Sequence, residues 1–262
     1  MDRLGRVDLD AWAAAVEEPG TAVAALQHAN GEVATSQPLE QAHAACRAAG
    51  VPLLVDATAS AGRVALPTAY DVMAADAATV GGPPVGILVV PERTRFGRSG
   101  PPREAEFGRA DSPVWVPLAL AAAEAWQQAG AVADADAAGA RQLTDRIRAA
   151  AGAVRDVEVV GDPDNRLPHV VTFSALYVDG EAIVTEFDRL GLAVASGSAC
   201  TASTLEPSHV LAAIGVLTHG NVRVTLPWEA VAPERGRAVE LLIEALPRVI
   251  AGVRRRLGAD QL

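Results

Sequence analysis

Residues 39–56 read LEQAHAACRAAGVPLLVD, and this stretch decides the fold. Leu39 to Ala49 has the apolar spacing of an amphipathic helix, and Gly50 is a residue that closes helices. Val51 to Val55 is a short apolar run that predicts a buried strand, and Asp56 stands at its end. Helices alternating with buried strands indicate an α/β fold with a mostly parallel sheet. Ligands are then expected beyond the carboxyl ends of the strands.

The same alternation continues on both sides of this stretch. Strands are predicted over Thr21 to Gln27, Ala77 to Val80 and Gly86 to Val90. The segment from Arg93 to Pro113 is rich in proline, glycine and charge, which is typical of a surface excursion. These elements predict a first domain over about residues 1–125.

The second half predicts a smaller α+β domain over about residues 126–262. Two alanine-rich helices, at Val116 to Gln128 and at Ala138 to Ala151, lead into it. The elements predicted after them are strands Val157 to Val160, His169 to Phe173, Leu192 to Ala195 and Val222 to Leu226, and helices Gly180 to Leu190, Ser208 to Ile214 and Pro233 to Leu257.

Composition excludes several classes of protein. Half of the 262 residues are hydrophobic and the net charge is −10, which argues for a globular domain and against a nucleic-acid partner. No apolar stretch reaches the roughly 18 residues of a membrane span. The chain starts without an apolar signal core, so a cytoplasmic protein is expected. His28, His209 and His219 lack metal-ligand spacing, so no metal site is expected.

Lysine is missing from the whole sequence, and all 22 basic residues are arginine. A drift in composition towards arginine accounts for empty surface positions, because arginine serves equally well on solvated faces. It does not account for the loss of a catalytic lysine. A lysine amine can form a Schiff base with a carbonyl, whereas a guanidinium group cannot.

A small-residue loop carries the clearest local motif. It reads Ser196-Gly197-Ser198-Ala199-Cys200-Thr201 and is followed by Leu205 to Leu211, LEPSHVL. This segment closely resembles the mobile active-site loop of the cysteine desulfurases, which have the class V aminotransferase fold. Further segments that resemble the family follow in order at Gly5 to Asp8, His28 to Glu32, Gln37 to Pro38, Val55 to Ala57, Leu167 to Pro168, Asp179 to Glu181 and Val222 to Val224.

The resemblance implies a set of roles. In that family pyridoxal phosphate serves the conversion of cysteine to alanine, which leaves a persulfide on the loop cysteine. By position, Asp56 matches the carboxylate that holds the pyridine nitrogen, Arg223 the arginine that binds the substrate carboxylate, and Cys200 the nucleophile. Alternatives remain for each: Asp56 capping a loop, Arg223 in a buried ion pair, and Cys200 kept for packing. Cys46, inside a predicted helix, is expected to be a small buried hydrophobe.

Departures from the family pattern fall around the cofactor. The family's Ser-Gly-His-Lys-x-x-Gly-Pro stretch is reduced to Val80 to Gly86, VGGPPVG, which removes the serine, the histidine and the lysine together. Gly31 replaces an asparagine that contacts the cofactor, and Ala59 replaces a glutamine. Complete members are longer and begin with a section that supplies a phosphate-binding turn and a stacking histidine. No pyridoxal phosphate cofactor is therefore expected here.

The sequence thus predicts a truncated class V aminotransferase-like protein that is dead as a pyridoxal phosphate enzyme. Its expected role is that of a partner, regulatory subunit or pseudoenzyme in sulfur transfer. One alternative is a cofactor-free persulfide carrier that uses Cys200. A further alternative is a cysteine desulfurase completed by a second subunit. Family members are homodimers, so the expected partner is a second copy, a complete desulfurase or a sulfur acceptor protein.

Overall fold

Alternating short apolar runs and amphipathic stretches produce seven strands and six α-helices in the part of the chain that the structure describes. A computed structural model describes residues 1–97, 104–110, 113, 115–196 and 208–259. The elements in chain order are α1 (Leu9–Glu17), β1 (Ala24–Gln27), α2 (Leu39–Ala49), β2 (Leu53–Asp56), β3 (Val72–Asp76), β4 (Gly86–Val89), α3 (Val116–Gly152), β5 (Val157–Val160), β6 (Val170–Ala175), α4 (Gly180–Arg189), α5 (His209–Ile214), β7 (Asn221–Thr225) and α6 (Arg235–Arg256).

The chain divides into two units. We call residues 9–28 and 37–133 the parallel-sheet unit, and residues 1–8, 29–36 and 134–262 the antiparallel-sheet unit. The two domains expected from the sequence, 1–125 and 126–262, stay a prediction. No helix among the described residues is both long enough and apolar enough to span a lipid bilayer.

The parallel-sheet unit is built on four strands in the order β1-β2-β3-β4. The β1–β2 and β2–β3 pairs are parallel and the β3–β4 pair is antiparallel, which confirms the predicted α/β fold with a mostly parallel sheet. Leu53 and Val55 on β2 are fully buried. Helix α2 has the predicted bounds and ends at Gly50, whose left-handed conformation (φ 71°) lets its N–H bond back to the last turn.

The antiparallel-sheet unit holds strands β5, β6 and β7 in that order. One face of this sheet packs on helices α4 and α6 and on the C-terminal half of α3, and this is where the main core lies. Phe173 on β6 and Phe187 on α4 are fully buried there. Burial of a side chain of this size stabilises the fold by about 1.5–3 kcal/mol.

Three predictions about single elements are wrong, and one helix was not predicted. Ala77 to Val80 is a 3₁₀ helix rather than a strand, because the Asp76 carboxylate accepts a hydrogen bond from Ala78 N (2.8 Å) and Gly81 ends the turn with a positive φ. The strand lies earlier, at Val72–Asp76. Residues 192–195 form only an isolated bridge. The two helices expected between 116 and 151 are one continuous helix, α3, and the sequence did not predict α1.

Candidate functional site

Asp56 lies at the carboxyl end of β2, where an α/β sheet is expected to place ligand groups. Its side chain is exposed, and Oδ1 accepts hydrogen bonds from the backbone N of Thr58 (2.8 Å) and from the Thr58 hydroxyl (2.5 Å). This is the turn formed by an aspartate with the residue two positions later. Asp56 therefore caps the turn after β2, and its match to the pyridine carboxylate of the family stays a prediction.

His28 follows β1 at the same edge of the sheet. Its backbone N donates to the carbonyl oxygen of Asp56 (2.7 Å), and its Nδ1 lies 2.9 Å from the hydroxyl of the buried Ser60. Burial lowers the pKa of His28, although the Glu40 carboxylate opposes this effect. The lowered pKa favours the neutral ring, which is engaged with Ser60.

The connection from β3 to β4 is a compact turn held by hydrogen bonds within its own backbone. Ala77 N donates to the carbonyl of Val85 (2.9 Å), and Gly82 N donates to the carbonyl of Ala77 (2.9 Å). A Cβ built on Gly82 would lie 2.9 Å from Ala77 O and 3.1 Å from the Cβ of Ala125, so a larger residue does not fit without a backbone shift. This connection holds only small and apolar residues besides one threonine, and none of them bears an amine.

The antiparallel sheet carries a polar face opposite its core face. Strand residues alternate between faces, and the inward set includes Val171, Phe173, Val222 and Val224. The outward set comprises the side chains of Thr172, Ser174, Asn221 and Arg223, which pair across β6 and β7 as Thr172 with Arg223 and Ser174 with Asn221. We call these four residues the polar face.

Arg223 is the residue on the polar face with unused hydrogen-bonding capacity and a positive charge. Its backbone pairs with Ala195 through two hydrogen bonds (2.7 and 3.0 Å). Its Nε is buried and makes no hydrogen bond among the described residues. No ion pair joins Arg223 to another described residue, so the structure gives no support to the alternative of a buried ion pair.

The short segment 29–36 packs against the same face. The hydroxyl of Thr172 donates to the backbone carbonyl of Glu32, and Asn30 Oδ1 accepts from the backbone N of Glu32 (2.8 Å). The side chain of Glu32 is buried, and its Oε1 has no hydrogen-bond partner among the described residues. A carboxylate and a guanidinium with unsatisfied buried atoms thus share one side of this sheet, which is costly unless a ligand or solvent satisfies them.

Of the two cysteines, only Cys46 lies in the part of the chain that the structure describes. Cys200 lies outside the described residues. The chain on either side of its loop is described: Ala195 pairs with Arg223, and Ser208 caps α5 by accepting from Leu211 N (3.2 Å). Cys46 is fully buried, as expected, and burial raises the pKa of its thiol.

The sequence predicted Asp56 and Arg223 by resemblance but did not single out Thr172 or Glu32 as members of one cluster. A signal was present for Thr172. In VVTFSA and NVRVT, apolar and polar residues alternate with period two, which marks one buried and one polar face. No comparable signal placed Glu32 there, because a loop that docks on a distant sheet leaves no periodic trace.

Comparison with known proteins gives a consistent result. The family model for class-V aminotransferases matches residues 1–230. The chain is 32% identical over 266 residues to the cysteine desulfurase IscS 1 of Archaeoglobus fulgidus, covering 97% of this chain and 67% of that protein. It is 30% identical to the cysteine desulfurase NifS of Azotobacter vinelandii, with 97% and 64% covered. The chain spans about 64% of the length of several such relatives.

Solved structures agree on the fold. A NifS-like protein from Rickettsia africae superposes with a TM-score of 0.81 at 17% identity, covering 95% of this chain and 68% of that one. Another NifS-like protein superposes with a TM-score of 0.79 at 21% identity, covering 94% and 66%. At these identities the likeness speaks for the fold alone.

Proposed function

This chain belongs to the class-V aminotransferase family, among the cysteine desulfurases, and from that membership we propose that it takes part in sulfur transfer without pyridoxal phosphate held by its own residues. Members of the family depend on this cofactor, which serves as the electron sink for their chemistry. The proposal separates two properties that the family normally joins: the fold with its sulfur-handling loop, and the cofactor.

The β3–β4 connection is the observation that carries the proposal. A lysine amine has to come from the protein to hold the cofactor covalently, and the 262 residues contain none. The connection after β3 is a closed turn in which Gly82 is walled in by Ala77 and Ala125. The residues present therefore do not fit a covalently anchored cofactor at this place.

Asp56 supports the same conclusion. A carboxylate holds a pyridinium strongly when the ion pair is shielded from water. In this chain Asp56 Oδ1 accepts hydrogen bonds from the backbone N and the hydroxyl of Thr58, and the side chain is exposed to solvent. Water weakens such an ion pair, so this carboxylate would be a poor anchor for a pyridinium. The nearby His28 ring is committed to Ser60.

Arg223 is the element that would still recognise a substrate. A guanidinium group with a buried unsatisfied Nε is suited to a carboxylate, since planar paired N–H donors match two carboxylate oxygens. We assign Arg223 the role of binding the carboxylate of an amino acid or of a partner's C-terminus. Arg223 therefore acts as a binding residue that needs no cofactor.

Cys200 is the proposed sulfur acceptor. The described residues nearest its loop favour this role, because the loop begins just beyond Ala195, the backbone partner of Arg223. In the proposed step the Cys200 thiolate attacks the outer sulfur of a persulfide donor. The donor's sulfur–sulfur bond breaks, the donor leaves as a thiolate, and Cys200 carries the persulfide. The exchange needs no outside oxidant.

Persulfide labelling tests this assignment. With a low-molecular-weight persulfide donor at pH 7.5, the wild-type chain is expected to gain one sulfur atom per chain by mass spectrometry. Cys200→Ser should abolish the gain. Cys46→Ser is the matched control and should keep it, because the Cys46 thiol is buried and its raised pKa leaves it protonated at this pH. Equal labelling of Cys200→Ser and wild type would contradict the role of Cys200.

A further inference from the structure

A charged groove lies at the amino-terminal edge of strands β2 and β3, the edge opposite Asp56. Two adjoining cavities of about 360 and 510 Å³ share Arg47, Asp71 and Arg93 as wall residues. Arg95 lines only the smaller cavity, and His43 and Glu40 line only the larger one. Volumes of about 300–1,000 Å³ are typical of small-molecule sites. We call this feature the arginine groove; none of the residues matched to the family's site lines it.

Asp71, the acid that lines both cavities of the arginine groove, already accepts two hydrogen bonds. Asp71 Oδ2 accepts from His43 Nε2 (3.1 Å) and from the backbone N of Leu53 (2.9 Å). These bonds direct the carboxylate towards α2 and the start of β2. The other lining acid, Glu40, belongs to the first turn of α2, whereas Arg47 belongs to its last turn. Three guanidinium groups therefore face two carboxylates, in a chain whose net charge is −10.

The arginines of the groove have no acidic partner among the described residues, unlike several other arginines of the chain. Arg47 and Arg95 form no ion pair with another described residue, whereas Arg146 pairs with Glu240 (2.7 Å). An exposed arginine without a partner is common by itself. Arg93 also has no ion pair with a described residue, and three arginines without an acidic partner along one concave wall leave a local positive field that attracts small anions.

The groove is also held in shape. Arg93 donates from one terminal nitrogen to the carbonyl of Tyr70 (2.8 Å), which holds that side chain against the wall and leaves other N–H groups for a ligand. Thr94 donates from its hydroxyl to the carbonyl of Asp71 (2.8 Å), which pins the segment carrying Arg93 and Arg95 to the start of β3. A site that is ordered before binding loses less entropy when a ligand arrives.

We propose that the arginine groove binds a small phosphate-bearing molecule. Guanidinium groups recognise phosphate through paired N–H donors, and a dianion matches a surplus of positive charge from several arginines. The concave shape favours a small ligand over the flat acidic face of a protein. This site is separate from the proposed sulfur chemistry, and either proposal can fail without the other.

Titration calorimetry with inorganic phosphate in a low-salt buffer tests the proposal. Wild-type protein is expected to bind one phosphate per chain. Arg47→Gln and Arg93→Gln should each weaken binding about tenfold or more, since a hydrogen bond to a charged group is worth about 1.5–3 kcal/mol. Arg237→Gln is the matched control, because Arg237 is exposed on α6 in the other unit, and it should change the affinity by less than about twofold.

Three results would overturn the proposal: no phosphate binding by the wild type at 10 mM, equal weakening by Arg237→Gln, or tighter binding of a polyglutamate peptide than of phosphate, which would indicate an acidic protein partner. Arg47 and Arg93 are exposed, so both variants should keep the wild-type melting temperature. A matched melting temperature shows that a loss of affinity comes from the site and not from unfolding.

Discussion

Replacing Asp136 by alanine is expected to lower the free energy of unfolding of the antiparallel-sheet unit by about 3–5 kcal/mol, because it removes the buried partner of Arg235 and leaves only an exposed carboxylate, that of Glu229, near the buried charge. Asp136 and Arg235 are about 5% and 4% exposed, and their side chains meet at 2.7 Å. Arg235 also donates to the carbonyl of Pro227 (2.8 Å), which ties the start of α6 to the chain after β7. The Arg235 guanidinium stays charged, so the structure around it must open locally to let water solvate the charge.

Glu229 provides the matched control on the same arginine. Its carboxylate lies 3.2 Å from Arg235 Nη2, but its side chain is 64% exposed. Glu229→Ala should therefore cost less than about 1 kcal/mol, as exposed pairs do. Urea denaturation followed by circular dichroism measures both variants. Equal losses for Asp136→Ala and Glu229→Ala would show that the buried ion pair does not stabilise this unit.

Replacing Gly161 by alanine is expected to cost about 3 kcal/mol or more and to loosen segment 29–36. Gly161 has a φ of +81°, and a Cβ there would lie 2.1 Å from the backbone oxygen of Val33. The left-handed conformation costs an alanine about 1–2 kcal/mol, and the clash adds the cost of a backbone shift, about 1–3 kcal/mol. The next residue, Asp162, accepts from Arg6 and donates its N–H to the Thr35 hydroxyl (3.0 Å), so the shift would disturb this anchor.

Gly191→Ala is the matched control that separates the cost of the left-handed backbone from the cost of the steric clash. Gly191 has a similar φ of +75°, and nothing lies within 4 Å of a Cβ built there, so Gly191→Ala should cost only about 1–2 kcal/mol. Hydrogen exchange of segment 29–36 should rise in Gly161→Ala and stay unchanged in Gly191→Ala. Similar destabilisation by both substitutions would mean that the close approach to Val33 is not what makes glycine necessary.

The sequence predicted a strand of the parallel sheet correctly where the strand is a continuous apolar run and a glycine marks the end of the helix before it. Val51 to Val55 is such a run, and Gly50 marks the helix end before it. The prediction failed at Ala77 to Val80, because short alanine-rich runs do not distinguish a strand from a single helical turn. The deciding contact is the Asp76 cap on Ala78. The two predicted α-helices merged because residues 129–137 contain no proline and only one glycine, Gly130.

The candidate site was predicted in part. Resemblance indicated Asp56, Arg223 and Cys200, and the structure adds the hydrogen bonds that place the first two in their surroundings. The bond between Asp56 and Thr58 follows from local sequence, since an aspartate often caps the residue two positions later. The docking of Glu32 on Thr172 spans 140 residues and depends on the tertiary fold. Sequence patterns report local periodicity and therefore could not predict that contact.

The central claim is that these residues do not hold pyridoxal phosphate covalently, and one measurement tests it directly. The purified chain is mixed with pyridoxal phosphate, its absorbance spectrum is recorded, the mixture is reduced with borohydride and the chain is weighed by mass spectrometry. We expect no protein-bound yellow absorbance, no pyridoxyl adduct on any internal residue and no sulfide released from cysteine. A yellow protein with an internal adduct that releases sulfide from cysteine unaided would contradict it.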